Sequence, residues 1–209
     1  MEPVANRNQI TLRGSLVSLP EFSHENHGKR FFRFFLEVPR LSGAIDTPPV
    51  ITEETILNAV DLSGGEMLTV TGQVRSHNLR SSGKRHLSVF VFASSILAED
   101  GEPINTVELD AVVCREPTYR RTPLGREICD VMLAVPRPFH RADYLPCILW
   151  GKVAAEASRC AVGDPLVLNG RLQSRIYTKL TEDGPQERTA YEISALTAQF
   201  PGSIPQSNE

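Results

Sequence analysis

At 209 residues, with 41% hydrophobic and 22% charged side chains, the sequence has ordinary globular composition, which excludes wholesale disorder and leaves room for one large or two small domains. The net charge of −3 argues against a uniformly basic polyanion binder, yet the charges are unevenly spread, and local potential governs association. No apolar run approaches the ~18 residues of a bilayer span, and Met1–Gln9 lacks the basic and apolar regions of a secretion signal, so a reduced cytoplasmic setting with no membrane partner is expected.

Along the chain, Phe31, Arg33 and Phe35 fall on one strand parity, with Phe32, Phe34, Leu36 and Val38 on the other. Thr52 to Leu62 is predicted helical, ending at Gly64-Gly65. From Leu41 to Val74 there is no Lys or Arg, whereas Arg75, Arg80, Lys84 and Arg85 follow with no acid among them. A hairpin is predicted from Gln73 through Ser81–Lys84 to Phe92, and Glu99–Pro103 is a polar connector. Strands then follow at Val107–Val113, Cys129–Val135, Tyr144–Trp150, Pro165–Tyr177 and Ala190–Ala195, with polar loops at 117–125 and 178–186. Between the third and fourth of these, Gly151 opens a short helix with Val153, Ala157 and Cys160 on one face and Gly163 as its C-cap.

The sequence repeats itself at a spacing of 97 residues. Asn8 matches Asn105, Leu12 matches Leu109, Pro20 matches Pro117, and Phe22 meets Tyr119. Leu36-Glu-Val-Pro-Arg40 matches Leu133-Ala-Val-Pro-Arg137, and Asp46 matches Asp143. One inserted residue shifts the spacing to 98, after which Gly65 meets Gly163, Gly72 meets Gly170 and Ser76 meets Ser174. The expectation is an all-β chain of two homologous domains, 1–103 and 104–209. Each is an OB fold, a five-stranded Greek-key barrel with one short helix between its third and fourth strands.

The run Ala142-Asp-Tyr-Leu-Pro-Cys-Ile-Leu-Trp-Gly-Lys152, followed by Gly163-Asp-Pro-Leu-Val-Leu-Asn-Gly-Arg-Leu-Gln-Ser-Arg-Ile-Tyr177, resembles the core of bacterial single-stranded DNA-binding (SSB) proteins. Pro117–Gly125 and Leu133–Arg137 look like their first hairpin. The first copy is a weaker match, keeping Gly72–Ser76 and Leu36–Arg40. The resemblance implies sequence-independent binding of single-stranded DNA in replication, recombination or repair, in the cytoplasm at the nucleoid. It also implies four OB folds per particle, so a two-fold chain is expected to form a homodimer. The edge of a first strand is a natural surface for joining the subunits. The family commonly ends in an acidic tail closing in Pro-Phe. This sequence ends Ser-Ile-Pro-Gln-Ser-Asn-Glu, so recruiting replication or repair proteins by that route is not expected.

Single-strand binding needs cations along a groove and aromatic planes on which bases stack. Tyr144 and Trp150 share a parity, as do Arg171, Gln173, Arg175 and Tyr177, opposite Leu172 and Ile176; Lys179 follows in the hairpin. These form the expected platform of the second copy, and the resemblance assigns base stacking to its aromatic rings. Trp150 is alternatively a core ring. Tyr119, Arg120, Arg121 and Arg126 add charge from the loop at 117–125. The first copy offers Phe31, Arg33, Phe35, Arg75, His77, Arg80, Lys84 and Arg85, although a subunit interface accounts for Phe31 and Phe35 as well as DNA does.

The five histidines show no metal spacing, and no phosphate-loop or nucleophile-elbow glycine motif is present. Cys114, Cys129, Cys147 and Cys160 stand 15, 18 and 13 apart without a C-x-x-C pair, which reads as small hydrophobes rather than zinc ligands. The expectation is a protein with no enzymatic activity, cofactor or metal. The rival is a primosome-accessory or protein-interaction OB protein with weak DNA binding.

Overall fold

The computed structural model describes residues 7–81, 84–181 and 184–201; the side chains of 79–81, 84, 85 and 181 lie outside that description. In the first copy the elements are β1 (Asn8–Leu16), β2 (Glu21–Asn26), β3 (Lys29–Pro39), β4 (Ile45–Asp46), β5 (Pro49–Glu53), α1 (Glu54–Leu57), β6 (Met67–Ser81) and β7 (Lys84–Ala98). The second copy holds β8 (Ile104–Val113), β9 (Thr118–Arg121), β10 (Glu127–Arg137), β11 (Arg141–Trp150), α2 (Gly151–Ala157), β12 (Pro165–Thr181) and β13 (Gly184–Gln199).

Each copy closes on itself. β1 pairs with both β6 and β3, and β8 with both β12 and β10, while β5 runs parallel to β7 and β11 parallel to β13. This five-strand circuit, with a helix between the third and fourth barrel strands, is the OB fold. Alternation drives it: Ile10 and Leu12 on β1, Leu109 and Ala111 on β8, and Val74, Val89, Val91 and Leu172 all point inward and are buried. Gly72 and Gly170 sit at matching bulges in β6 and β12, where a Cβ would collide with the carbonyl oxygens of Phe92 and Ser194. Only glycine lets the backbones approach so closely there.

The two first strands pair with each other inside one chain. β1 and β8 are antiparallel, with Asn8 opposite Leu109, Ile10 opposite Val107 and Leu12 opposite Asn105. Ile10 and Val107 are equivalent in the repeat, so a local two-fold axis runs through that pair. The edge expected to join subunits is therefore occupied within the chain, because a covalently linked neighbour reaches it at high effective concentration. The repeated Asn residues fasten each first strand within its own copy, and the repeated Asp and Ser residues cross the junction. Asn8 exchanges two hydrogen bonds with the Val74 backbone (2.8 and 2.9 Å), and Asn105 does the same with Leu172. Asp46, only 1% exposed, is held by Arg40 and by the backbone N–H (2.7 Å) and hydroxyl (3.0 Å) of Ser174 in the other copy. Asp143 in turn accepts from the Ser76 N–H at 2.9 Å and faces Arg75 and Arg137.

Several sequence expectations are corrected. The loop predicted at 117–125 carries strand β9, paired with β10, and in the one predicted at 178–186 residues 178–181 and 184–186 are paired ends of β12 and β13, with 182 and 183 outside the described residues. Backbone pairing to a long neighbouring strand outweighs their polar composition. The first helix covers only Glu54–Leu57. Thr52 stays buried in β5, and the Ala59 and Val60 N–H groups bond three residues back, tightening the chain out of the helix. In α2 the deeply buried side chains are Ala154 and Ala157, with Val153 and Cys160 packed beside them.

Two parities also break. Phe34, Leu36 and Val38 fill the core, but Phe32 sits outside it, edge-on to Phe22 at 6.0 Å, while Phe31 is only 8% exposed. A bulge in β2 between Phe22 and His24 lets β2 cover Phe31. Ile176, expected inside, is 68% exposed because β12 has by then run past the end of its barrel.

Candidate nucleic-acid interface

On the first copy, the outward side chains of β3, β7 and β6 make one continuous surface. His24 from β2 lies flat on Phe31, centroids 4.8 Å apart with 9° between planes, and Phe31 meets Phe92 at 6.0 Å. The Arg75 guanidinium stands 5.4 Å over Phe92, Arg33 stands 5.8 Å over Phe35, and His77 leans on Phe90 at 5.2 Å. Planar rings interleaved with cations are what stacked bases and their phosphates require. Burial, and secondarily the nearby His24, pushes the His77 pKa down. Arg80, Lys84 and Arg85 belong to the adjoining hairpin, and their side chains lie outside the described residues. His24, Phe90 and Phe92 were not among the predicted site residues. The signal was legible for two of them: in Val89-Phe-Val-Phe92 the buried valines leave both phenylalanines on the outer parity.

On the second copy, Tyr144 and Trp150 both project outward from β11, and Trp150 is 38% exposed with its indole N–H donating to Ser194 Oγ at 3.1 Å. Arg175 lies 5.9 Å over the Tyr177 ring. Gln173 is buried, giving its amide N–H to Glu192 at 2.8 Å, and Arg175 Nε stands 3.8 Å from the same carboxylate. Arg120 makes a two-pronged contact with Asp130, and Arg121 pairs with Glu127 at 3.1 Å. Tyr119 and Arg126 are exposed at the β9 hairpin. Lys179 stands 3.4 Å from His86 of the first copy. Arg171 is set apart from this platform, in a notch with Arg40, Leu41, Asp46, Pro103 and Asn105.

Between the two faces lies a basic junction that the sequence did not disclose, since its residues are far apart along the chain. Arg75 Nε sits 2.8 Å from Asp143 Oδ2, an ion pair although its N–H is not aimed at the oxygen. Arg137 approaches Asp143 at 3.4 Å, and Arg141 and Phe139 complete the lining. Phe139 is 90% exposed on a left-handed turn (φ 63°). The Tyr144 N–H donates to Ser76 Oγ at 2.8 Å, so Arg75 and Tyr144 connect the two faces through neighbouring residues.

Among the described residues, no helix is long and apolar enough to cross a membrane. The fold is that of the wild-type single-stranded DNA binding protein from Thermus aquaticus, which aligns with a TM-score of 0.77 at 23% identity over 97% of each chain. A deletion mutant of that protein aligns at 0.75, with 24% identity over 97% of this chain and 98% of its own. The sequence profile of the single-strand binding protein family matches residues 104–201. Single-stranded DNA-binding protein B of Bacillus subtilis is 36% identical over 103 residues, 46% of this chain and 88% of its own length. The single-stranded DNA-binding protein of Halalkalibacterium halodurans is 32% identical over 106 residues, 46% of this chain; the match spans 60% of that relative's length. With most of the Bacillus subtilis protein covered at this identity, the chain belongs to the single-strand binding protein family.

Proposed function

We propose that this chain binds single-stranded DNA without sequence preference, as a non-catalytic protein of replication, recombination or repair. The observation that carries the reading is the run of rings and cations on the outer faces of both barrels, joined at the Arg75–Tyr144 junction. Exposed bases can stack on such planes, whereas paired bases in a duplex cannot. The units are residues 1–103 and 104–209, and two chains assemble into a particle of four OB folds on a surface other than β1, whose edges are taken. The assay is titration with labelled oligo-dT beside a hairpin duplex, following the fluorescence of Trp150, the single tryptophan of the sequence. Oligo-dT quenches the indole and binds far more tightly than the hairpin. Equal affinities refute the reading and favour the protein-interaction alternative. Light scattering at micromolar concentration gives the mass of two chains; the mass of one refutes the assembly.

A further inference from the structure

The repeat allows the two faces to be compared position by position. On β3 and β10, Arg33 corresponds to Asp130 at the 97-residue spacing. On the last strands the correspondence comes from register: Val50 is opposite Val91 and the equivalent Cys147 opposite Ile193, so Phe90 corresponds to Glu192 and Phe92 to Ser194. At two central positions where the first face offers a cation and a ring, the second offers carboxylates. Those carboxylates are engaged with binding-face groups: Asp130 holds Arg120, while Glu192 holds Gln173 and stands 3.8 Å from Arg175. Among the described residues Arg33 makes no ion pair and lies over Phe35.

A phosphate reaching the second face meets Arg120 already hydrogen-bonded to Asp130 and Arg175 standing 3.8 Å from Glu192, and it sits beside both carboxylates. On the first face the exposed Arg33 meets it directly, and Arg75, although paired with the buried Asp143, stands over Phe92. We infer that the first copy, the half outside the matched family profile, is the principal strand-binding surface, and that Asp130 and Glu192 attenuate the second. The inference rests on the proposed single-strand binding. It assigns the main stacking surface to Phe35, Phe90 and Phe92 rather than to Trp150 and Tyr177.

The test uses the full chain, fluorescein-labelled oligo-dT and anisotropy at fixed salt. Arg33→Ala and Phe90→Ala each weaken binding about tenfold, the scale of one lost stacking plane or charged contact. Trp150→Ala and Arg175→Ala weaken it by less than about threefold on the same scale. Asp130→Asn combined with Glu192→Gln tightens binding. Arg33 is exposed, so its removal leaves the fold intact, and circular dichroism checks Phe90→Ala. Greater losses from the second-copy substitutions than from the first-copy ones overturn the inference, as does unchanged affinity on neutralising both carboxylates. Failure of the unaltered protein to bind oligo-dT overturns the single-strand reading itself, so the wild-type curve tells the two failures apart.

Discussion

Replacing Asp46 by alanine removes the acceptor at which the two copies meet. Its carboxylate takes hydrogen bonds from Arg40 and from the N–H and hydroxyl of Ser174, 128 residues away, and it is nearly inaccessible to water. The substitution leaves a half-buried guanidinium and a backbone N–H without their acceptor, on top of the lost attraction. Removing one partner of a buried ion pair costs about 3–5 kcal/mol. In a domain-sized cooperative unit of about 150–250 residues, each kcal/mol lowers Tm by about 2–4 °C, so a fall of about 6–20 °C is expected. Differential scanning calorimetry measures it, with Asp143→Ala as the pseudo-symmetric control. A cycle with Ser174→Ala isolates the hydroxyl's share of the contact across the junction, the backbone N–H bond remaining, and coupling of about 0.5–3 kcal/mol is typical of touching residues. If Asp46→Ala lowered Tm by less than about 2 °C, the carboxylate would not be joining the copies.

Other outcomes follow from the same geometry. Burial raises the Asp46 pKa, but Arg40 and the Ser174 donors outweigh it and hold the carboxyl below its ordinary 3.8; its contribution is complete above that value and is lost as pH falls through the depressed one, so wild type loses more stability than Asp46→Asn between pH 4 and 2, as acid unfolding monitored by circular dichroism will show. If Arg33 contacts a phosphate, Arg33→Ala reduces the slope of log K against log salt by about 0.7, while Phe90→Ala leaves the slope alone, which anisotropy at several salt concentrations separates. His77 has its pKa lowered by burial and by His24, so it is mostly neutral at pH 7. A bound phosphate favours its protonated form, so affinity rises as pH falls below 6.5, and His77→Gln diminishes that rise in titrations at pH 5.5 and 7.5.

Much of the fold was legible because β-strands announce their faces. The alternation in 129–135 and 144–150 yielded strands with the right sides inward, and the 97-residue spacing revealed two units of one kind. On the second copy, resemblance and parity named Tyr144 and Trp150, which point outward, but also Gln173, which is buried, and Arg171, which lies in a separate notch. Parity no longer says what is buried where β12 outruns its barrel, at Ile176, or where the bulged β2 covers the outer side, at Phe31.

The repeat itself shows what belongs to the sequence and what to the tertiary structure. Asn8 and Asn105, Asp46 and Asp143, and Ser76 and Ser174 were visible as matched pairs, so the sequence alone determined that these positions are equivalent. Only the folded chain showed what they do, the Asp and Ser positions crossing between copies and the Asn positions tying β1 to β6 and β8 to β12 within each copy. Likewise, nothing in the sequence marks Asp130 and Glu192; the pairing of β10 with β9 and of β13 with β12 places them beside Arg120 and Arg175. Period and parity describe one strand and its two sides. Which strand lies next to it, and which charge that neighbour brings, depends on contacts between residues tens to more than a hundred positions apart, settled by barrel closure and by β1 meeting β8.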